Sequence, residues 1–106
     1  MAQRAFFLNT LHPGVDPTDY EQFVRDVDYP FARRLPAIES YVVTRIDGML
    51  EGDAEPPYQY LEVVEITGLE EYRAALDPCH PEVAAFHEQW ATFVQESVIL
   101  YGETIE

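Results

Sequence analysis

The stretch YQYLEVVEI, residues 58–66, reads as a strand that is not polar on either side. Tyr58, Tyr60, Val64 and Ile66 share one parity, and Leu61 and Val63 share the other. Successive strand residues point to opposite faces, so both faces of this strand carry apolar side chains. The segment near the N-terminus has the same property, with Phe6 and Leu8 opposed to Ala5, Phe7 and Leu11. An apolar sheet face left in water is costly. A sheet made of such strands therefore needs cover on both sides.

The rest of the chain supplies cover for one side. Residues 4–12, RAFFLNTLH, read as a strand ended by Pro13-Gly14. A helix is expected over 17–34: Asp16 or Thr18 can cap it, Pro17 suits its first turn, and positions 20, 23, 24, 27, 31 and 35 are apolar at helical spacing. Pro36 closes it. AIESYVVTRIDG (37–48) and YQYLEVVEITG (58–68) pair as an antiparallel hairpin around the polar loop 49–57. LEEYRAAL (69–76) is a short helix broken at DPCHP, residues 82–95 form a further helix, and SVILYGET (97–104) is the last strand. The order β-α-β-β-α(α)-β is the split βαβ, ferredoxin-like pattern: an α+β fold with a four-stranded antiparallel sheet. Its helices lie on one face. A second copy packed sheet to sheet covers the other, so a homodimer is expected, each chain one domain over 1–106.

Charge narrows the partners. Six basic against 20 acidic residues give a net charge of −14, and the chain has no lysine. Nucleic acids and anionic membrane surfaces are repelled by such a chain. An anionic substrate would need arginines focused in one pocket. The single cysteine, Cys79, excludes an intrachain disulfide and fits a reducing cytoplasm. The run AFFL is too short for a signal peptide, and no segment approaches the roughly 18–20 apolar residues of a membrane span.

Three residues are candidates for acid–base chemistry. His87 shares a helical stripe with Val83, Phe86, Trp90 and Val94, which is expected to turn it inward into an aromatic cavity. Asp28 sits two residues before Pro30, whose missing N–H leaves the carbonyl of Asp26 unpaired. The helix should kink or loosen there, which can aim the carboxyl into a cavity and raise its pKa. The alternative is an ion pair with Arg33 or Arg25 that fixes the helix end. Glu62 shares strand parity with Tyr58 and Tyr60. If that face meets the helices, these polar tips converge on the cavity of His87; otherwise Glu62 is an interface or solvated residue. Tyr58, Tyr60 and Tyr41 read as packing aromatics with hydroxyls at a cavity rim, and Phe86 and Trp90 as walls. His12 reads as exposed. Cys79 and His80 are neighbours without an orienting third group, a poor nucleophile arrangement. His80 and His87 are seven residues apart, about 10.5 Å along a helix, so no metal site is expected. No phosphate-binding glycine loop is present.

The segments DYEQFVRDVDYPFARRLPAIESYVVTRIDG and PPYQYLEVVEITGLEEY resemble the RedY/HapK-like family of the dimeric α+β barrel superfamily. The resemblance rests on D-Y-E, on D-x-P followed by R and L-P, on a strand ending R-x-x-G, and on P-Y-x-Y-x-E-V. It implies a role in bacterial secondary metabolism without a cofactor: hydrolysis or cyclisation of a reactive indole, bisindole, pyrrole or carbazole-type intermediate. It also carries Arg33 into the pattern, as partner of Asp28 or as a contact for a polar substrate group. Asn9, with Trp90 and His87, is similar in type to residues of haem-degrading members of the superfamily, though placed differently. Other roles in the superfamily are a cofactor-free or haem-dependent monooxygenase, a protein that shields an intermediate, and a small barrel without a cavity.

Overall fold

A computed structural model describes residues 2–106. The chain runs β1 (Gln3–Leu11), α1 (Pro17–Phe23), a π-helical turn (Val24–Asp28), α2 (Tyr29–Arg33), β2 (Ile38–Arg45), β3 (Tyr60–Ile66), α3 (Leu69–Ala75), α4 (Pro81–Phe93) and β4 (Val94–Glu103). The four strands form one antiparallel sheet in the order β2-β3-β1-β4, the arrangement expected of a split βαβ. Gly14 makes the turn out of β1 at φ +86°, a backbone region that favours glycine.

The helical segment after that turn matches the expected 17–34 to within a residue, with a break in the middle. Asp16 accepts the Thr18 N–H at 2.9 Å and caps α1, with Pro17 in its first turn. The Tyr29 N–H then reaches the carbonyl of Val24, five residues back rather than four. Pro30 is the cause that the sequence offers. It has no N–H to give, so the α-helical ladder is interrupted there, and α2 restarts with Pro30 in its first turn. The wide turn carries Asp28 to the inside, where it is 4% exposed.

The C-terminal elements differ from the expected bounds. α4 ends at Phe93, and β4 begins at Val94 without a connecting loop. Val94 is buried in strand conformation against the same cluster as Leu11 and Tyr60. Strand pairing with β1 from Leu11 onward outweighs the helical periodicity of the sequence at 94–95.

The helices settle which face is which. Along β3 the burial alternates strictly, with Tyr60, Glu62, Val64 and Ile66 buried under the helices. Ala5, Asn9 and Leu11 of β1 are buried on the same side. On the other side the register lines up two rows across all four strands: Leu100, Phe6, Val63 and Val42, then Val98, Leu8, Leu61 and Thr44. Seven of those eight side chains are apolar, and Val42 and Leu100 are 54% and 50% exposed. The two-sided apolar character of the strands is thus real, and helices cover only one of the sides.

Candidate active site

A cavity of ≈ 140 Å³ lies between the helix-covered face of the sheet and α2, α3 and α4. Phe31 and Phe86 form one wall as a parallel stack, 4.4 Å between centroids and 4° between planes. Val64, Tyr72 and Val83 add further apolar surface. Two carboxyls, Asp28 and Glu62, open into this cavity, and each is 4% exposed.

Tyr41 joins them. Its hydroxyl lies 2.6 Å from Asp28 Oδ2 and is also hydrogen-bonded to Glu62 Oε1. A phenol has one hydrogen to give. It donates to one carboxyl and accepts from the other, so the arrangement is complete only when one carboxyl carries a proton. Electrostatics lead to the same result. The bridged oxygens lie no farther apart than two hydrogen-bond lengths, roughly 5–6 Å. Two full charges there would repel by about 3 kcal/mol at an effective dielectric near 20. Burial pushes Asp28 up to about 6, with the Tyr41 hydrogen bond opposing. Burial, then the charge of Asp28, pushes Glu62 up to about 7. Burial beside both acids raises Tyr41 well above the ordinary phenol range.

Glu62 is held from its other side. The Ser97 hydroxyl donates to Asn9 Oδ1 at 2.5 Å, which turns the Asn9 amide NH₂ toward Glu62 Oε2. Asn9 is 0% exposed, and it faces Ser97 directly in the β1–β4 register. One hydrogen-bond chain therefore crosses the whole sheet: Ser97 on β4, Asn9 on β1, Glu62 on β3 and Tyr41 on β2, ending on Asp28 of the π turn.

Among the described residues, no arginine enters this hydrogen-bond chain or lines the cavity. Arg25 lies 3.8 Å from Glu21, and Arg33 is exposed and sits over the Tyr29 ring at 5.8 Å. Neither expected ion pair with Asp28 forms, because the π turn takes the carboxyl inward while both guanidiniums stay outside.

Several other expectations are corrected. His87 lines the cavity without being buried in it. It is exposed at the cavity mouth, its ring 5.9 Å from that of Trp90. At 100° per residue, the buried side of α4 centres among Val83, Phe86, Trp90 and Phe93, which leaves His87 roughly 80° around the helix. Tyr60 shares the face of Glu62, but its hydroxyl donates to Glu21 Oε2 at 2.7 Å, outside the acid pair. Tyr58 precedes β3, is half-buried and does not line the cavity. Phe86, Trp90 and Tyr41 do line it. Sequence reasoning named Asp28, Glu62, Tyr41 and Asn9 separately, and it missed Ser97 and Tyr72. Asn9 shares the parity of Phe7 and Leu11, which places it on an apolar face of β1 without saying that this is the helix-covered one. Only strand register reveals Ser97.

These features define a class: an α+β protein of ferredoxin-like order with two buried carboxyls bridged by a tyrosine in an aromatic-walled cavity. Within that class the chain belongs to the HapK family, whose model, "REDY-like protein HapK", matches residues 3–105. Its structure is similar to that of HapK from Hahella chejuensis, with TM-score 0.80, 24% identity, and coverage of 97% of this chain and 92% of that one. It is similar also to a dimeric ferredoxin-like protein from Thermobifida fusca, with TM-score 0.72, 22% identity, and coverage of 98% and 92%. A third is SnoaB from Streptomyces nogalater, a cofactor-independent oxygenase, with TM-score 0.73, 15% identity, and coverage of 99% and 94%. At these identities the likeness is one of fold. No curated protein sequence matches the chain. No helix is long and apolar enough to cross a membrane among the described residues.

Proposed function

We propose that this protein is a cofactor-free acid–base enzyme of secondary metabolism, acting on a reactive aromatic intermediate of indole, bisindole, pyrrole or carbazole type. The observation that carries the reading is the Tyr41 hydroxyl bridging two buried carboxyls in a cavity without an arginine. A pair that holds one proton contains a base and an acid together. The ionised carboxyl takes a proton from carbon, nitrogen or an attacking water. The protonated one gives a proton to the leaving or carbonyl oxygen. Tyr41 exchanges the two roles by passing its own hydrogen one way while receiving one from the other side. Hydrolysis and ring closure both need such a paired transfer, which is worth about 10²- to 10⁴-fold per positioned group. Asn9 and Ser97 fix the orientation of Glu62.

Cavity size limits what enters. A cavity near 150 Å³ with apolar walls holds one benzene-sized ring. One ring of a larger scaffold fits against Phe31 and Phe86, and the remainder passes the mouth formed with Trp90 and His87. The test is to incubate metal-free protein with in situ generated bisindole and bipyrrole intermediates under nitrogen. A product ratio shifted at least tenfold from buffer is expected. Tight ligand binding with unchanged products would replace catalysis by shielding. A shift seen only with oxygen, with matching oxygen consumption, would favour a monooxygenase, the reading suggested by the resemblance of fold to SnoaB.

The working unit in this proposal is a homodimer in which a second copy covers the rows of Leu100, Phe6, Val63 and Val42. Light scattering at micromolar concentration should give twice the chain mass. Val63→Arg, which places a charge in the middle of the apolar face, should give a folded monomer or a weakened dimer. A wild-type monomer sinks the proposal.

A further inference from the structure

Resting on the acid–base reading, we infer that the cavity selects a cationic aromatic group, such as an arylamidinium or a protonated aryl imine, and rejects anionic rings of the same size. Three observations point there. The walls are aromatic and fit one ring, as the Phe31–Phe86 stack shows. The polar end consists of two carboxyls with no cation among the described residues to balance them. Asp28 has Tyr41 as its one hydrogen-bond partner among the described residues, through Oδ2, which leaves Oδ1 without one at the cavity wall. An Oδ1 open to the cavity has lone pairs free to accept, and a ligand N–H in the plane of a ring can donate to it.

The remaining groups that face the pair do not supply that charge. From α1 Tyr20 presents a hydroxyl that is buried without a hydrogen-bond partner, and from α3 Tyr72 lines the cavity. Both phenols are raised by burial and by the two acids, so they stay neutral. β2 contributes Tyr41, and β1 the uncharged Asn9. α4 brings only His87, out at the mouth. A cation entering the cavity takes the place of the shared proton. Its binding should therefore release a proton and strengthen as pH rises through the range in which the pair titrates. An anionic ring adds a charge of the same sign to a site already one proton short of neutral.

The probes are benzamidine, benzamide and benzoate, which share a ring and nearly a shape. Calorimetry at pH 7.5 should give benzamidine at least a tenfold lower Kd than either of the others. Its affinity should rise about tenfold from pH 5.5 to pH 7.5, with about half a proton released per site on average across that range. Asp28→Asn should remove at least tenfold of that affinity and most of the pH slope. His87→Gln should keep the slope. Benzoate binding as tightly as benzamidine, an affinity indifferent to Asp28→Asn, a slope lost in His87→Gln, or no benzamidine binding at millimolar concentration would each overturn the inference. Catalysis is judged separately, by the base-catalysed probe reaction below. If that reaction proceeds and benzamidine does not inhibit it, only the ligand class fails. If benzamidine binds and the reaction does not occur, the acid–base reading fails.

Discussion

Glu62→Gln is expected to lower the rate of a base-catalysed proton abstraction in this cavity by about 10²- to 10³-fold, within the range of a single positioned general base. A suitable reaction is the ring opening of nitrobenzisoxazole. The base removes the ring C–H proton, the N–O bond breaks, a nitrile forms and the coloured cyanophenolate leaves. No metal or redox partner enters the balance, so the rate reads the base alone. Asp28→Asn should cause a comparable loss, because Tyr41 joins the two acids into one unit. The double variant should then be little worse than either single one, since groups acting together are not additive. Tyr41→Phe keeps both carboxyls and removes the exchange path, and should cost less than either acid. Each of these changes removes a charge or keeps the shape, so the variants are expected to fold, which thermal denaturation checks. Wild-type protein no faster than free acetate at matched concentration would refute the assignment of the pair as the base.

The second large effect is on stability. Burial raises Asp28 from the ordinary 3.8 to about 6, and burial with the charge of Asp28 raises Glu62 from 4.5 to about 7. Between these limits the native state binds more protons than the unfolded state, so stability falls as pH rises, by the linkage relation. The pair's contribution is fully present below pH 4 and is lost once pH has passed about 7. At about 1.4 kcal/mol per pH unit of displacement, the pair alone makes the protein on the order of 5 kcal/mol less stable at pH 8 than at pH 4. That is a large share of a typical 5–15 kcal/mol. The general repulsion of a −14 chain acts in the same direction, so the pair is isolated by difference. Urea midpoints of wild type and the Asp28→Asn/Glu62→Gln double variant, at one protein concentration, should converge at low pH and separate above pH 5, the variant being the more stable. Parallel curves would show that the two acids are not strained by their burial.

Much of the architecture was legible because strands and helices leave different periods in sequence. Strand parity identified both apolar faces of β1 and β3, and Pro30 marked where the helical ladder had to give way. The sequence could not say which parity the helices cover, since Tyr58, Tyr60, Val64 and Ile66 make as good an outer face as Leu61 and Val63. Fixing that one choice turns Glu62 from an interface residue into a buried acid. Register then sets Phe7 and Val43 directly opposite Glu62 and brings Asn9, beside Ser97, and Tyr41 within diagonal reach on the same face. His87 was misplaced because a stripe drawn through residues 83, 86, 87, 90 and 94 is wide enough to include a side chain at its edge. Burial lies toward Phe93 instead, and His87 is left at the mouth.

The π turn at Val24–Asp28 has a consequence for how this protein can be rebuilt. An α-helix advances 100° per residue, so the aim of Asp28 relative to α1 depends on how many residues the turn contains. The direction of the carboxyl is thus encoded in the length of the turn as well as in Pro30, which interrupts the ladder there. Side-chain replacements around it leave that count untouched. Removing one residue from the turn would rewind the helix and swing the acid away from Tyr41 while leaving every contacting side chain in the gene. Comparison of such chains should therefore begin from gaps in alignment at this turn, before any count of matched residues.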